Sequence, residues 1–412
     1  LILVQQHIIK PNNEYFNECL NLTHLSKNLY NQALYRIRQH YFETQSYKNV
    51  FELINELVKE KQVDYYALPT KVSKMCLNKL NKNFISFFKA NQDYKVNPSK
   101  YKAKPRIPNY LDKNGSFVVE YYKEAISKKQ FKLGILNPSQ TNIHLTFKNL
   151  TWNNLVGVRI IPKNNYFIIE VLYEKTELHL KQDNHRYMSI DLGVNNLATI
   201  TDNINSKPII INGKPIKSIN QYYNKEKARL TSELELKQKV KTSKQLNKLS
   251  LKRNNKINDY LHKSSSYIVN QLVSKSINTL IIGRNKDWKQ DINIGSKNNQ
   301  NFVSIPFYKF IQMISYKCKL HGINIILNEE SYTSKCSFID NEKLCKHDVY
   351  LGKRVKRGLF KSNSGLTINA DVNGSFNILR KVICSENKYL KVVHNFKWIE
   401  GLSVNPLKVN LL

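Results

Sequence analysis

Four carboxylates stand where this chain could use them on a phosphodiester: Asp191, Glu329, Glu330 and Asp371. Asp191 closes the apolar run 188–190 within Met188-Ser-Ile-Asp-Leu-Gly193. Glu329 and Glu330 follow the apolar run 323–327. Asp371 opens a helical pattern in Asn369-Ala-Asp-Val-Asn-Gly-Ser375. A carboxylate beside apolar strand residues is costly to bury unless a cation or a donor compensates it. Three such acids meeting at one sheet edge would bind two Mg²⁺ ions, which favour oxygen ligands and keep water and phosphate in their shells. Two such ions would activate a water and stabilise the leaving oxygen of a phosphodiester under hydrolysis. Asp191 and Asp371 are the first and last members of the set, and the second member is open between Glu329 and Glu330. If the strand before them is regular, Asn328 and Glu330 share one face and Glu329 takes the other, which favours Glu330.

Those acids need elements to hold them. Two short β-type runs, 188–190 and 197–200, flank the turn at Gly193, and a third run at 208–211 ends in Asn212-Gly213, a hairpin signal. Residues 219–276 are helical and strongly basic. A buried strand follows at 279–283, then Pro306 and an amphipathic helix that Gly322 ends as a left-handed cap. A strand at 323–327, a basic insert to about 368 and the helix after Asn369 complete the set. The order β-β-β, helices, β-α-β, insert, α is that of an RNase H-like sheet, with the acids at the ends of core elements.

The first part of the chain is different in kind. A strand at 3–9 precedes helices over 14–42, 50–59 and from Pro69 onward, with apolar residues at helical spacing. Their aromatic stripe reads as core. Residues 89–112 carry Pro98, Pro105 and Pro108 among Lys95, Lys100, Lys102, Lys104 and Arg106, a linker that excludes helix. Strands at 116–122, 130–136, 143–147, 155–161 and 166–173 suggest a small barrel that the opening strand could join.

Lys and Arg number 65 against 31 Asp and Glu, a formal charge of +34. That excess points to a polyanionic partner, with phosphates contacted by the basic arm 219–263 and the linker 95–106. Neutralising several of those lysines should flatten the fall of log affinity with log salt. No apolar run approaches the ~20 residues that span a membrane, and no signal-peptide pattern opens the chain. Six scattered cysteines fit a reducing compartment, so a cytoplasmic protein is expected. Between Ser334 and Asp371 the Cys and His residues are Cys336, Cys345 and His347 alone. Three ligands fall short of a tetrahedral site, so zinc is not expected.

The motifs together resemble the TnpB family, also called OrfB of insertion sequences, the presumed ancestor of compact type V CRISPR effectors. The matching residues are Ser189-Ile-Asp-Leu-Gly-Val-Asn-Asn-Leu-Ala-Thr199, Tyr332-Thr-Ser334 with Cys336, and Asn369-Ala-Asp-Val-Asn-Gly-Ser-Phe-Asn-Ile-Leu379. His7-Ile-Ile-Lys-Pro11 and Leu25-Ser-Lys-Asn-Leu-Tyr-Asn31 extend the match over nearly the whole chain. The resemblance implies an α/β multidomain fold. A wedge β-barrel (1–10 and 96–186) carries an inserted helical recognition module (11–95). A RuvC nuclease domain (187–330 and 369–385) carries a target-nucleic-acid-binding insert (331–368), and a tail (386–412) follows. It implies a guide RNA made from the end of the element itself, double-stranded DNA cut beside a short flanking motif, and two Mg²⁺ at the RuvC site. The oligomeric state stays open, with a monomer expected.

Two departures bear on activity. The family usually has Glu at the end of the fourth strand, where this chain has Gly283. Some relatives supply the acid from the following strand, where Glu330 and Glu329 stand. The family also often carries two Cys-x-x-Cys pairs before the last Asp, and this chain has none. Asp191, Glu330 and Asp371 are therefore the expected catalytic residues of an RNA-guided endonuclease. The alternatives are a guided DNA-binding protein that has lost cleavage and a strand-transferring transposase of the same sheet type.

Overall fold

A computed structural model describes residues 1–238, 242–284, 295–356, 358–385 and 405–411. The described chain is α/β and divides into two compact units, Leu1–Lys175 and Thr176–Leu412. Lys239, Lys241 and Arg357 of the basic segments, most of the loop after 284 and most of the tail after 385 lie outside the described residues.

In the first unit, β1 (Ile2–Ile9) leads into α1 (Phe16–Thr44), α2 (Val50–Lys59), α3 (Val63–Tyr66) and α4 (Thr70–Val96). Asn49 starts α2 by accepting a hydrogen bond from the Phe51 N–H, which satisfies one of the open donors of the first turn. The apolar spacing resolves into one core: Leu29, Leu34 and Ile37 meet Leu53, Leu57, Leu77, Leu80 and Phe84, all buried. The helix α4 runs eight residues, 89–96, into the segment expected to be linker, because no proline interrupts it before Pro98.

The remaining elements of this unit are β2 (Val119–Tyr122), α5 (Lys128–Lys132), β3 (Ile135–Leu136), β4 (Leu145–Thr146), β5 (Leu155–Lys163) and β6 (Tyr166–Glu174). The strand expected at 130–136 is confined to Ile135–Leu136, because 130–132 belong to the short α5, which Ser127 caps by accepting from the Gln130 N–H. The opening strand does join the later ones, pairing antiparallel with β6 over its whole length. The sheet order is β1-β6-β5-β2, and β3 and β4 form a separate ribbon, so among the described residues no pairing closes a barrel.

The second unit is built on a six-stranded sheet. Its strands are β7 (Tyr187–Leu192), β8 (Asn196–Asp202), β9 (Ile209–Asn212), β10 (Thr279–Gly283), β11 (Asn324–Asn328) and, last in the chain, Leu407–Val409. Helices α6 (Lys214–Gln238) and α7 (Lys244–Ser274) separate β9 from β10, and α8 (Ser296–Val303) and α9 (Phe307–Lys319) separate β10 from β11. A small antiparallel sheet of β12 (Lys353–Lys356), β13 (Leu359–Lys361) and β14 (Thr367–Asn369) runs straight into α10 (Ala370–Ser385). The Leu407–Val409 strand, β15, sits at the far edge, giving the order β11-β10-β7-β8-β9-β15.

Two expectations fail here for local reasons. Asn212-Gly213 does not turn a hairpin: the Asn212 side chain accepts from the Lys214 N–H, and Pro215 suits the first turn of α6. The tail is not wholly peripheral, because Leu407–Val409 pairs in parallel with β9 and Val409 and Leu411 pack on the main core. Gly322 does take the left-handed conformation after α9, with φ +65°.

Alternation on β7 sorts the sheet into two faces. Met188, Ile190 and Leu192 join a core with α7 and α9, including Leu261, Phe307, Phe310 and Ile314. Tyr187 joins the opposite core, with Ile281, Phe376 and Ile378. Ser189 and Asp191 share that second face, which α10 covers. Among the described residues, no helix is long and apolar enough to cross a membrane.

Candidate active site

The parallel strands β7, β10 and β11 end at one level, since Ile282 pairs with Ile190 and with Leu327, and Gly283 pairs with Asn328. One residue on, Asp191 and Gly283 therefore stand side by side at the carboxyl ends, where open α/β sheets bind ligands. Glu330, two residues beyond β11, folds back over Gly283. A Cβ built on Gly283 would lie 2.5 Å from Glu330 Oε1 and 2.5 Å from Ile378 Cδ1. The glutamate carboxylate occupies the space that a side chain at 283 would fill.

Asp371 reaches the same edge from α10. Asn369 caps that helix, its side chain accepting from the N–H groups of Asp371 and Val372 at 3.0 and 3.3 Å. Position in the first turn suits an acid, because the helix dipole stabilises negative charge there. The helix is seated on the sheet by a buried hydroxyl cluster. Ser189 Oγ lies 2.7 Å from Thr201 Oγ1 and donates to the Ser375 carbonyl at 2.8 Å, and Ser375 Oγ lies 2.9 Å from Thr201 Oγ1. One turn after Asp371, Gly374 lets the helix backbone come close: a Cβ there would meet Asp191 Oδ2 at 2.9 Å.

Asn373 and Asn377, both fully buried, hold the start of the basic insert against α10. Asn373 donates to the Cys336 carbonyl and accepts from the Phe338 N–H, and Asn377 donates to the carbonyls of Thr333 and Cys336. Cys336, Cys345 and His347 lie near one another, with Cys345 Sγ 3.4 Å from His347 Nε2 and Cys336 Sγ donating to the carbonyls of Lys343 and Cys345.

Asp191, Glu330 and Asp371 are each half-buried, and Asp191 and Asp371 line a cleft. Burial first, then the charges of Glu330 and Asp371, push the Asp191 carboxyl well above the ordinary carboxylate range, and Arg354 opposes that shift. Burial pushes Glu330 from its ordinary 4.5 up to about 7. Glu329 points elsewhere: it is exposed, and its carbonyl accepts from Lys381 Nζ at 3.0 Å. The cleft beside these acids holds about 380 Å³ and is lined by Asp191, Asn195, Asn196, Ser334, Arg354 and Asp371.

Both oxygens of Asp371 are engaged. Asn196 Nδ2 donates to Oδ2 at 2.6 Å, and Arg354, on β12, donates to Oδ1 at 3.1 Å. As the side chains stand, no three His, Cys, Asp or Glu groups among the described residues converge tightly enough to hold a metal ion. The donor set nevertheless suits a hard divalent cation, being carboxylates only, with Asp191 feeling the negative charge of both others. Arg354, Asn196, Gly374 and Ser375 are site residues that the sequence alone left without these roles, although each lies inside or beside a segment it singled out.

One consequence is measurable on stability alone. With its pKa raised in the folded state, Glu330 binds more protons folded than unfolded between about pH 4.5 and 7, so its contribution falls as pH rises through that window. In EDTA, wild type should lose up to ~3 kcal/mol relative to Glu330→Gln between pH 4.5 and 7.5. Parallel melting curves of the two proteins against pH would contradict this placement of Glu330.

Two family models match the chain: OrfB_IS605, described as a probable transposase, over residues 170–289, and the Cas12f1-like TNB domain over residues 307–378. The chain is 23% identical to the TnpB-like protein ORF457 of Acidianus two-tailed virus, over 90% of this chain and 85% of that protein. It is 26% identical to the TnpB-like protein MJ0751 of Methanocaldococcus jannaschii, over 56% of this chain and 80% of that protein. Its fold is similar to that of Cas12f1 in a complex with sgRNA and target DNA, with a TM-score of 0.55 at 14% identity, covering 89% of this chain and 82% of that one.

Proposed function

We propose that this chain, which is similar to TnpB-like proteins, is an RNA-guided endonuclease of a transposable element that cuts double-stranded DNA with a RuvC-type site. The observation that carries the proposal is the meeting of Asp191, Glu330 and Asp371 at one edge of a mixed sheet, in a chain of net charge +34. Carboxylates gathered at one sheet edge repel one another and gain most from a shared cation. A protein so basic has a polyanion as its natural partner.

Asp191, Glu330 and Asp371 would hold two Mg²⁺ ions, with Asn196 orienting Asp371. When bound, such ions supply an activated water and stabilise the leaving oxygen. The chain's own residues do the positioning. The Ser189–Thr201–Ser375 cluster fixes α10, and hence Asp371, relative to Asp191. Arg354, displaced from Asp371, is placed to meet a phosphate oxygen with its planar fork. The guide would be an RNA from the end of the element, so that base pairing reads the target sequence while protein reads a short flanking motif.

The Arg354–Asp371 pair is largely solvent-facing, with side chains 49% and 34% exposed, so it contributes about 0–1 kcal/mol to stability. Arg354→Ala is expected to melt within ~1 kcal/mol of wild type. It should reach its full Mg²⁺-dependent rise in melting temperature at a lower Mg²⁺ concentration, because nothing competes for Asp371. An unchanged Mg²⁺ titration would show that the pair does not guard the site.

The test of function uses protein co-expressed with its downstream flanking DNA, so that native RNA co-purifies. That complex is given guide-matched duplexes with randomised flanks in Mg²⁺. Cleavage that depends on the RNA supports the proposal. Guided binding without cleavage in Mg²⁺ or Mn²⁺ would make the chain a guided DNA-binding protein, and joining of transposon ends would make it a transposase.

A further inference from the structure

Asp191 lies in a core strand and Asp371 in the first turn of a helix, but Glu330 stands on a loop, two residues past the end of β11. A loop holds a side chain less precisely than a strand or helix does unless its backbone is tied down. The ties here come from α10. Lys381 Nζ donates to the Glu329 carbonyl at 3.0 Å, on one side of Glu330. Asn377 Nδ2 donates to the Thr333 carbonyl at 2.8 Å, on the other side. Asn377 and Lys381 are four residues apart, so they stand one above the other on one face of the helix. The adjoining face is turned to the sheet, where Gly374 approaches Asp191, Ser375 meets Ser189 and Ile378 reaches the space over Gly283.

Thr333 carries the tie to Glu330 itself. Its N–H and its Oγ1 both donate to the Glu330 carbonyl, at 3.1 and 2.8 Å, which closes the four-residue turn Glu330-Ser-Tyr-Thr333. The third residue of that turn, Tyr332, has φ +66°, a conformation that ordinarily falls to glycine or asparagine and disfavours a tyrosine. A strained turn persists only where its surroundings hold it. Here the holding groups are the buried Thr333 and the fully buried Asn377, so water cannot easily replace the bonds they make.

We propose that Thr333, Asn377 and Lys381 are positioning residues that fix Glu330 relative to Asp371, so that α10 sets the spacing of all three acids. The inference rests on the reading of those acids as one metal-holding set. One helix then carries Asp371 in its first turn, approaches Asp191 through Gly374 and grips both sides of Glu330 from its second and third turns. From Asp371 to Asn377 it rises about 9 Å. Loss of the grip would leave the Glu330 carboxylate present but displaced. A displacement of about 1 Å is enough to slow a positioned reaction roughly a hundredfold.

The test uses the RNA-bearing complex and reads two quantities. One is the rate of guided cleavage. The other is the Mg²⁺ concentration at the midpoint of that part of the rise in melting temperature which Asp191→Ala lacks. Thr333→Val removes the hydroxyl and little volume; it should slow cleavage about ten- to a hundredfold and move the Mg²⁺ midpoint up, with guided binding unchanged. Thr333→Ser keeps the donor and should recover most of both. Lys381→Met should act in the same direction with a smaller effect, because its bond is open to solvent, and Lys381→Arg should recover it. Asn377→Ala should show the largest effect, and if it does not fold the Thr333 and Lys381 pairs still decide. Added to Glu330→Gln, Thr333→Val should slow cleavage little further, since a group that acts through Glu330 then has nothing to position.

Thr333→Val equal to wild type in rate and midpoint, Thr333→Ser as impaired as Thr333→Val, or full additivity with Glu330→Gln would each overturn the proposal. A slow Glu330→Gln beside an unimpaired Thr333→Val keeps the metal-holding set and loses the grip. If the wild-type complex binds but never cuts, the Mg²⁺ midpoint alone decides: a shift in Thr333→Val supports the grip and no shift overturns it. A wild type with no Asp191-dependent stabilisation by Mg²⁺ overturns both the set and the grip.

Discussion

Asp191→Ala is expected to slow guided cleavage by at least about a thousandfold while leaving guided binding intact. The factor corresponds to ~4 kcal/mol of transition-state stabilisation, within the several kcal/mol attributed to metal Lewis acidity at such sites. Asp191 is the member whose carboxyl feels both of the others, so removing it dismantles the charge cluster from its centre. The substitution should not harm the fold. It deletes a half-buried carboxylate that is costly to keep ionised, and the melting temperature in EDTA should hold or rise. Cleavage by the variant at the wild-type rate would end the case for this site. Glu329→Gln is the companion control, expected within about twofold of wild type because its side chain faces solvent.

The second large effect concerns Gly283 and Glu330, whose side-chain spaces exclude one another. Glu330→Gly should cost as much cleavage as Asp191→Ala. Gly283→Glu alone should also fail, for a different reason: its Cβ would overlap the Glu330 carboxylate and Ile378 Cδ1, each at 2.5 Å. Overpacking of that kind costs ~1–3 kcal/mol, and a second acid in the same space adds repulsion. The double variant Gly283→Glu with Glu330→Gly moves the acid to the end of β10 and vacates the space it needs. It should recover cleavage to within about a hundredfold of wild type, the scale of a small misplacement of a reacting group. A double variant that folds, yet cuts no better than Glu330→Gly, would show that the carboxylate at 330 does not stand in for one at 283.

Much of this architecture was legible in residue order. The helix at Val50–Lys59 and the strand at Thr279–Gly283 fall where the apolar spacing put them, since each has a clear period and a capping or breaking residue at its ends. Legibility failed where local signals were ambiguous. Residues 130–136 carry too few alternating positions to separate a strand from the short α5. Asn212-Gly213 reads as a hairpin in isolation, but the next residues start a helix and β9 finds its outer neighbour in Leu407–Val409, nearly two hundred residues away.

The same division holds at the site. Sequence alone determined that acids close several core elements, that 283 cannot offer a ligand and that the chain carries a large positive excess. Those properties are chemical identities, which need no partner to be read. Tertiary structure decided which acids meet. The parallel register of β7, β10 and β11 levels Asp191 with Gly283, and the turn after β11 sends Glu330 inward and Glu329 outward. It also placed Arg354 and Asn196 on Asp371 from distant strands. Side-chain direction beyond the end of a strand depends on what the neighbouring elements leave vacant, and here the vacancy is the missing side chain of Gly283.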